Sequence, residues 1–162
     1  MTMMIKRVSY YGSMVAVALI CGYVEFLIPF DFGIPGIKLG LANIVAIFLL
    51  YRNGYLPALV VNVLRILLCG ILFGNVMSIF YSLCGGILSL TVMWTLKKCP
   101  WFSTVGISAV GGTVHNIGQL LAASVIIGFK AIVYYMPFLV VSGVLTGFLV
   151  GLAATVLIKR IK

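Results

Sequence analysis

Long apolar runs, separated by short polar or basic segments, make up most of this chain. A helix that crosses the hydrocarbon core of a bilayer needs roughly 20 apolar residues. We therefore predict six membrane helices, and we expect them to form one all-α transmembrane domain over residues 1–162. Their expected bounds are about 8–28, 39–51, 55–73, 76–96, 103–128 and 132–158.

The second run is shorter than the others and follows a segment rich in Pro and Gly. As a helix it would be roughly 20 Å long, against a hydrocarbon core of about 30 Å. The apolar Ile34 and Ile37 in segment 29–38 indicate that this segment dips inward to complete the span. Non-helical backbone at that depth is tolerated only against protein or a water-filled cavity. The sequence therefore predicts a cavity beside the second helix.

Composition agrees with a membrane protein and excludes several kinds of site. Hydrophobic residues make up 64% of the chain and charged residues 8%, whereas soluble domains carry about 25% charged residues. The two acids, Glu25 and Asp31, cannot build a carboxylate cage for magnesium diphosphate or another metal. The four cysteines are scattered, as is typical of small apolar side chains in helices. We expect no catalytic residue, no metal and no cofactor.

Most of the eleven Lys and Arg residues lie at those ends of the predicted helices that would share one side of the membrane. They form no continuous patch, which argues against nucleic acid as a partner. With the N-terminus inside, only Lys38 and Lys130 fall in outer loops, and the positive-inside rule places both termini in the cytoplasm. We expect a multi-pass protein of the bacterial inner membrane. The inner segments hold Lys6, Arg7, Arg52, Lys97, Lys98, Lys159, Arg160 and Lys162.

This orientation places the polar side chains of five helices toward the outer half of the bundle, while the inner half is much more apolar. Such a layout is typical of a pocket that opens to the outside. We therefore predict a substrate-binding set that comprises Lys38, Asn43, Asn62, Arg65, Ser78, Tyr81, Ser82, His115, Asn116 and Gln119.

Arg65 is the most informative member of this set. A charged side chain at this depth costs at least ~2.5 kcal/mol on insertion scales, so Arg65 needs a partner or a ligand. Asn62, three residues earlier, shares its helix face. The planar guanidinium suits an anionic or carbonyl-rich ligand. The alternative is that Arg65 pairs with Glu25 and that the amides and His115 only fasten helices together.

Small residues suggest where helices approach closely. The Gly-Gly pairs at 85–86 and 111–112 are expected to permit close helix packing rather than to cradle phosphate. Gly12 and Ala16 have small-xxx-small spacing in the inner half of the first helix. They serve either internal packing or docking of another membrane subunit.

Four stretches of the chain have a familiar pattern, namely IPFDFGIPGIKLGLANIV (28–45), Leu64-Arg65, LFGNVMSIFYSLCGGILSL (72–90) and AVGGTVHNIGQLLAAS (109–124). The PGIKLGLAN and HNIGQ blocks are the most specific of these. Together the stretches resemble the Gx transporter family, which also carries the label heptaprenyl diphosphate synthase component I, and the resemblance covers about residues 15–155.

This family resembles the substrate-binding (S) components of energy-coupling factor (ECF) transporters. The resemblance implies capture of a vitamin-like molecule, such as a flavin or an isoprenoid or quinone precursor. It implies a membrane T component and ATPase subunits as partners, with Gly12 and Ala16 as docking residues and segment 29–38 as a lid. The older label leaves an alternative, a non-catalytic accessory subunit of heptaprenyl diphosphate synthase. An intramembrane enzyme is a third interpretation, disfavoured by one His and two acids.

Overall fold

The computed structural model describes residues 2–28, 39–128, 134 and 136–161. The described residues form six α-helices and no strands, which confirms the all-α prediction. Five of the helices are long and apolar enough to cross a membrane, so this is a multi-pass membrane protein. The helices are α1 (Thr2–Leu27), α2 (Leu41–Arg52), α3 (Tyr55–Phe73), α4 (Val76–Lys97), α5 (Thr104–Ile127) and α6 (Met136–Arg160).

Predicted and observed bounds agree closely for α3, α4 and α5 and differ most at α1. That helix begins at Thr2, six residues before the predicted start at 8. The apolar run marks the part of the helix suited to lipid, but Met, Lys and Arg in the preceding turns are good helix formers and extend it. The predicted lid 29–38, with Lys38, lies outside the described residues, as does the predicted start of the last helix at 132.

Helix α2 is the short element that the sequence predicted. It has 12 residues, or about 18 Å of helix, and it starts after Gly40. The backbone of Gly40 has φ 76°, a left-handed conformation that glycine adopts without steric cost. Four side chains of α2, those of Ala42, Ile47, Leu49 and Leu50, are at most 2% exposed. The short helix is therefore enclosed by protein on most of its surface.

The six helices form a ring in which α2 lies between α6 and α1. Packing contacts join α1 to α3, α3 to α4, α4 to α5 and α5 to α6, and α2 contacts α6, α1 and α3. The hydrophobic core of the described residues lies around α2, where Val61, Leu90, Ile107 and Ala154 meet it from four helices. Among the described helices, α1 packs against α2 and α3 on one side, and much of its other face is exposed.

Glycines set the close approach of α4, α5 and α6. A Cβ added to Gly147 would lie 2.5 Å from the Ser108 carbonyl oxygen, and one added to Gly118 would lie 2.8 Å from Gly85 Cα. Helices in lipid associate through such close packing, since lipid tails are as apolar as the helices themselves. Both Gly-Gly pairs, 85–86 and 111–112, lie at such close approaches, since a Cβ on Gly85 would lie 2.6 Å from the His115 carbonyl oxygen and one on Gly112 would lie 3.1 Å from Gly147 Cα.

Charged side chains from other helices satisfy both ends of α2. Glu25 of α1 accepts a hydrogen bond from the Leu41 backbone N–H, 2.7 Å from Oε1. At the other end, Lys97 Nζ of α4 donates to the carbonyl oxygen of Leu50 at 2.8 Å. Helix ends carry unsatisfied N–H and C=O groups and partial charges of the opposite sign to these two residues. Glu25 and Lys97 therefore stabilise a short helix that no side chain of its own caps.

Candidate ligand-binding site

A cavity of about 170 Å³ lies in one half of the bundle. All six helices contribute to its wall, through the C-terminal parts of α1 and α3, the N-terminal parts of α2 and α4, and segments of α5 and α6. This half lies opposite the helix ends that carry most of the basic residues. The polar residues of the wall are Glu25, Asn43, Arg65, Ser78, Ser82, His115, Asn116, Gln119 and Thr146.

The structure brings together most of the residues that the sequence singled out. Seven of the ten line the cavity, namely Asn43, Arg65, Ser78, Ser82, His115, Asn116 and Gln119. Asn62 lies behind the wall, 4% exposed. Tyr81 does not line the cavity, and its ring lies 6.0 Å from that of Phe80, edge to face. Lys38 falls outside the described residues.

Arg65 is held in place by two amide side chains. Its Nη2 donates to Asn62 Oδ1 at 2.7 Å and to Asn43 Oδ1 at 3.0 Å. Its Nε is buried and has no hydrogen-bond partner within the described part of the chain. Amide oxygens satisfy donors but carry no negative charge, so these bonds orient the guanidinium without neutralising it.

Glu25 also lines the cavity, and its carboxylate contacts the backbone of α2. The carboxylate Oε1 receives the Leu41 N–H, whereas the hydrogen bonds of Arg65 go to Asn43 and Asn62. The sequence left open whether Glu25 is the partner of Arg65. The geometry gives the two charged groups different hydrogen-bond partners within one cavity.

Two members of the predicted set are engaged in structural hydrogen bonds. Asn116 Nδ2 donates to the Leu139 carbonyl oxygen at 2.7 Å and thereby fastens α5 to α6. Ser78 belongs to the N-terminal cap of α4, where its hydroxyl oxygen accepts the Asn75 N–H at 3.1 Å. The alternative in which amide side chains fasten helices together therefore describes Asn116. Ser78 caps its own helix, and both residues line the cavity.

Sequence reasoning missed the contribution of α6, which supplies Thr146 to the wall. Thr146 lies in a long apolar run, and its hydroxyl donates to the Ser142 carbonyl oxygen one turn earlier, at 2.8 Å. Such internal bonding is common for Thr in apolar helices. The available signal was its position one turn after Ser142, near the middle of the predicted helix.

The small residues of α1 lie on its open face. Gly12 and Ala16 are exposed, and a Cβ added to Gly12 would have no atom within 4 Å. Ser9 and Ser13 are exposed on the same stretch. Within the described part of the chain, Gly12 thus packs against no other helix, and the internal-packing alternative does not describe it.

Comparison with known proteins identifies a family. The family model described as heptaprenyl diphosphate synthase component I matches residues 14–157. This range includes about half of α1, all of α2 to α5, most of α6 and every residue of the cavity wall. Neither the curated proteins nor the solved structures include a match. The chain, a multi-pass bundle with a polar cavity in one half, belongs to the heptaprenyl diphosphate synthase component I family.

Proposed function

We propose that this protein is the membrane-embedded, substrate-binding subunit of a small-molecule uptake transporter, similar to the S component of an ECF transporter. It binds a solute from outside and passes it inward with the help of partner subunits. The observation that carries the proposal is the cavity, to which six helices bring polar side chains around Arg65. Ionisable groups at such depth are costly, and in membrane proteins they mark substrate pathways.

The distribution of charge supports an outward-facing cavity. The basic residues Lys6, Arg7, Arg52 and Lys97 lie at the helix ends opposite the cavity. Basic segments stay in the cytoplasm under the positive-inside rule. Both termini are then cytoplasmic, the cavity opens to the outside, and the protein resides in a bacterial inner membrane.

The partners would be a membrane T component and ATPase subunits. The sequence contains no P-loop, so ATP hydrolysis has to come from another chain. The exposed Gly12 and Ala16 form a shallow part of the α1 surface. Small residues let helix backbones approach closely in lipid, which makes this surface the docking site for the T component.

A second candidate function follows from the description of the family. This chain would then be a non-catalytic membrane accessory subunit of heptaprenyl diphosphate synthase or of quinone metabolism. Catalysis by the chain itself is disfavoured, because a magnesium diphosphate site needs several carboxylates and Asp31 is the only aspartate. Among the described residues, no group of three or more His, Cys, Asp or Glu could hold a metal.

Purification from native membranes in a mild detergent, followed by mass spectrometry, separates the two functions. We expect an ATPase and a membrane T component to co-purify with the tagged chain. Gly12→Leu should reduce their recovery at least several-fold, because the larger side chain blocks close helix approach. Ile20→Leu, on the exposed outer part of the same helix (63% exposed), is the matched control and should have no effect. Recovery of a soluble prenyltransferase without an ATPase would support the accessory subunit instead.

A further inference from the structure

We propose that the cavity takes a compact organic monoanion, with a carboxylate bound by Arg65 and a body of about one six-membered ring. This inference rests on the proposed function in one respect, since it takes the cavity to be the solute site. It names the chemical class of the solute, which the function alone leaves open.

The charges of the wall favour an anion. The guanidinium of Arg65 is bonded to two neutral amide oxygens, so its positive charge has no carboxylate bonded to it among the described residues. Glu25, the other formally charged residue of the wall, has Oε1 engaged at the positive N-terminal end of α2, 2.7 Å from the Leu41 nitrogen. Glu25 attracts Arg65 electrostatically within the same cavity, but the hydrogen bonds of the guanidinium go to neutral acceptors, which favours an anion as its ligand.

The arrangement around Arg65 also separates two roles. Asn62 is buried and bonds Arg65 from behind, so it is a positioning residue. Asn43 lines the cavity together with Arg65, and its Oδ1 accepts a hydrogen bond from Arg65 Nη2 at 3.0 Å. A carboxylate that enters from the cavity replaces the Asn43 oxygen at Nη2, while the bond to Asn62 keeps the guanidinium oriented. The exchange gives the guanidinium a charged acceptor in place of a neutral one, and such bonds are roughly twice as strong.

The size of the cavity limits the body of the ligand. Sites that enclose drug-sized molecules have volumes of about 300–1,000 Å³, whereas this one measures about 170 Å³. An apolar cavity of about 150 Å³ holds one benzene molecule. A flavin would therefore be enclosed only in part, and a single ring with a small polar group fits better.

Benzoate and benzamide test the charge requirement, because they share a shape and differ in charge at pH 7. Isothermal titration on the purified full chain in lipid nanodiscs should show that benzoate binds at least about tenfold more tightly than benzamide. Arg65→Gln should remove this preference, and Arg65→Lys should retain part of it, since an ammonium keeps the charge but lacks the planar fork. Ile20→Leu, 63% exposed on α1 and not part of the cavity wall, is the control and should leave the preference intact.

Three results would overturn the inference: benzamide binding as tightly as benzoate, no binding of either probe, or tighter binding of the larger 2-naphthoate. The first comparison uses the unaltered chain, so a folding defect in a variant cannot explain it. Failure of the proposed function is recognised separately. Absence of an ATPase and T component from the purified complex, with benzoate binding intact, refutes the transporter and leaves the ligand class standing.

Discussion

At the scale of single residues, Arg65 illustrates what the sequence can predict and what it cannot. The cost of a cation at this depth and the spacing to Asn62 were readable from the sequence, and the structure has that pair in contact at 2.7 Å. The bond to Asn43 was not readable, because it depends on how α2 packs against α3. The same holds for Glu25, whose contact with the Leu41 backbone depends on where α1 ends beside α2.

Loss of Asn62, the buried hydrogen-bond acceptor of Arg65, should destabilise the protein. We expect Asn62→Ala to cost about 1–3 kcal/mol of unfolding free energy, because a buried charged donor loses its closest acceptor. Reversible unfolding in mixed micelles, followed by circular dichroism, measures this difference. The matched control is Ser82→Ala, which also alters the polar region but should stay within about 0.5 kcal/mol. Equal effects of the two substitutions would contradict the positioning role of Asn62.

At the scale of helices, the short second span was predicted and its anchoring was not. The length of the apolar run indicated a helix too short for the bilayer, and the structure has 12 residues there. No sequence pattern indicated that Glu25 and Lys97, on two other helices, would satisfy its ends. Lys97, which the positive-inside count treated as a topology signal, therefore has a second role in the fold.

Loss of the acceptor on α1 should loosen the start of α2. We expect Glu25→Ala to cost about 1–2 kcal/mol, in the range measured for the loss of a helix cap. Glu25→Gln keeps an oxygen that can accept the Leu41 N–H and should cost less. Hydrogen exchange of the α2 backbone, measured by mass spectrometry, reports the change directly. Faster exchange confined to other helices would contradict the capping role.

At the scale of the whole molecule, helix number and class followed from the sequence because lipid demands long apolar runs. The grouping of polar residues in one half also followed from the alternating direction of successive helices. The sequence could not predict which individual residues line the cavity. Tyr81 and Ser82 are adjacent in the sequence, yet only Ser82 lines it. Which face a residue presents depends on helix rotation, and here that is set by glycine contacts such as Gly118 with Gly85.

The central claim is that a small anion binds in an outward-facing cavity beside Arg65, and Cys69 provides the most direct measurement. Cys69 lines the cavity, whereas Cys99 is exposed at the opposite end. Variants that retain only one of these cysteines are treated in intact cells with a membrane-impermeant maleimide. The account predicts that Cys69 is labelled, that benzoate slows its labelling while benzamide does not, and that Cys99 is labelled only after lysis. Labelling of Cys69 only after lysis, or at a rate that benzoate leaves unchanged, would contradict it.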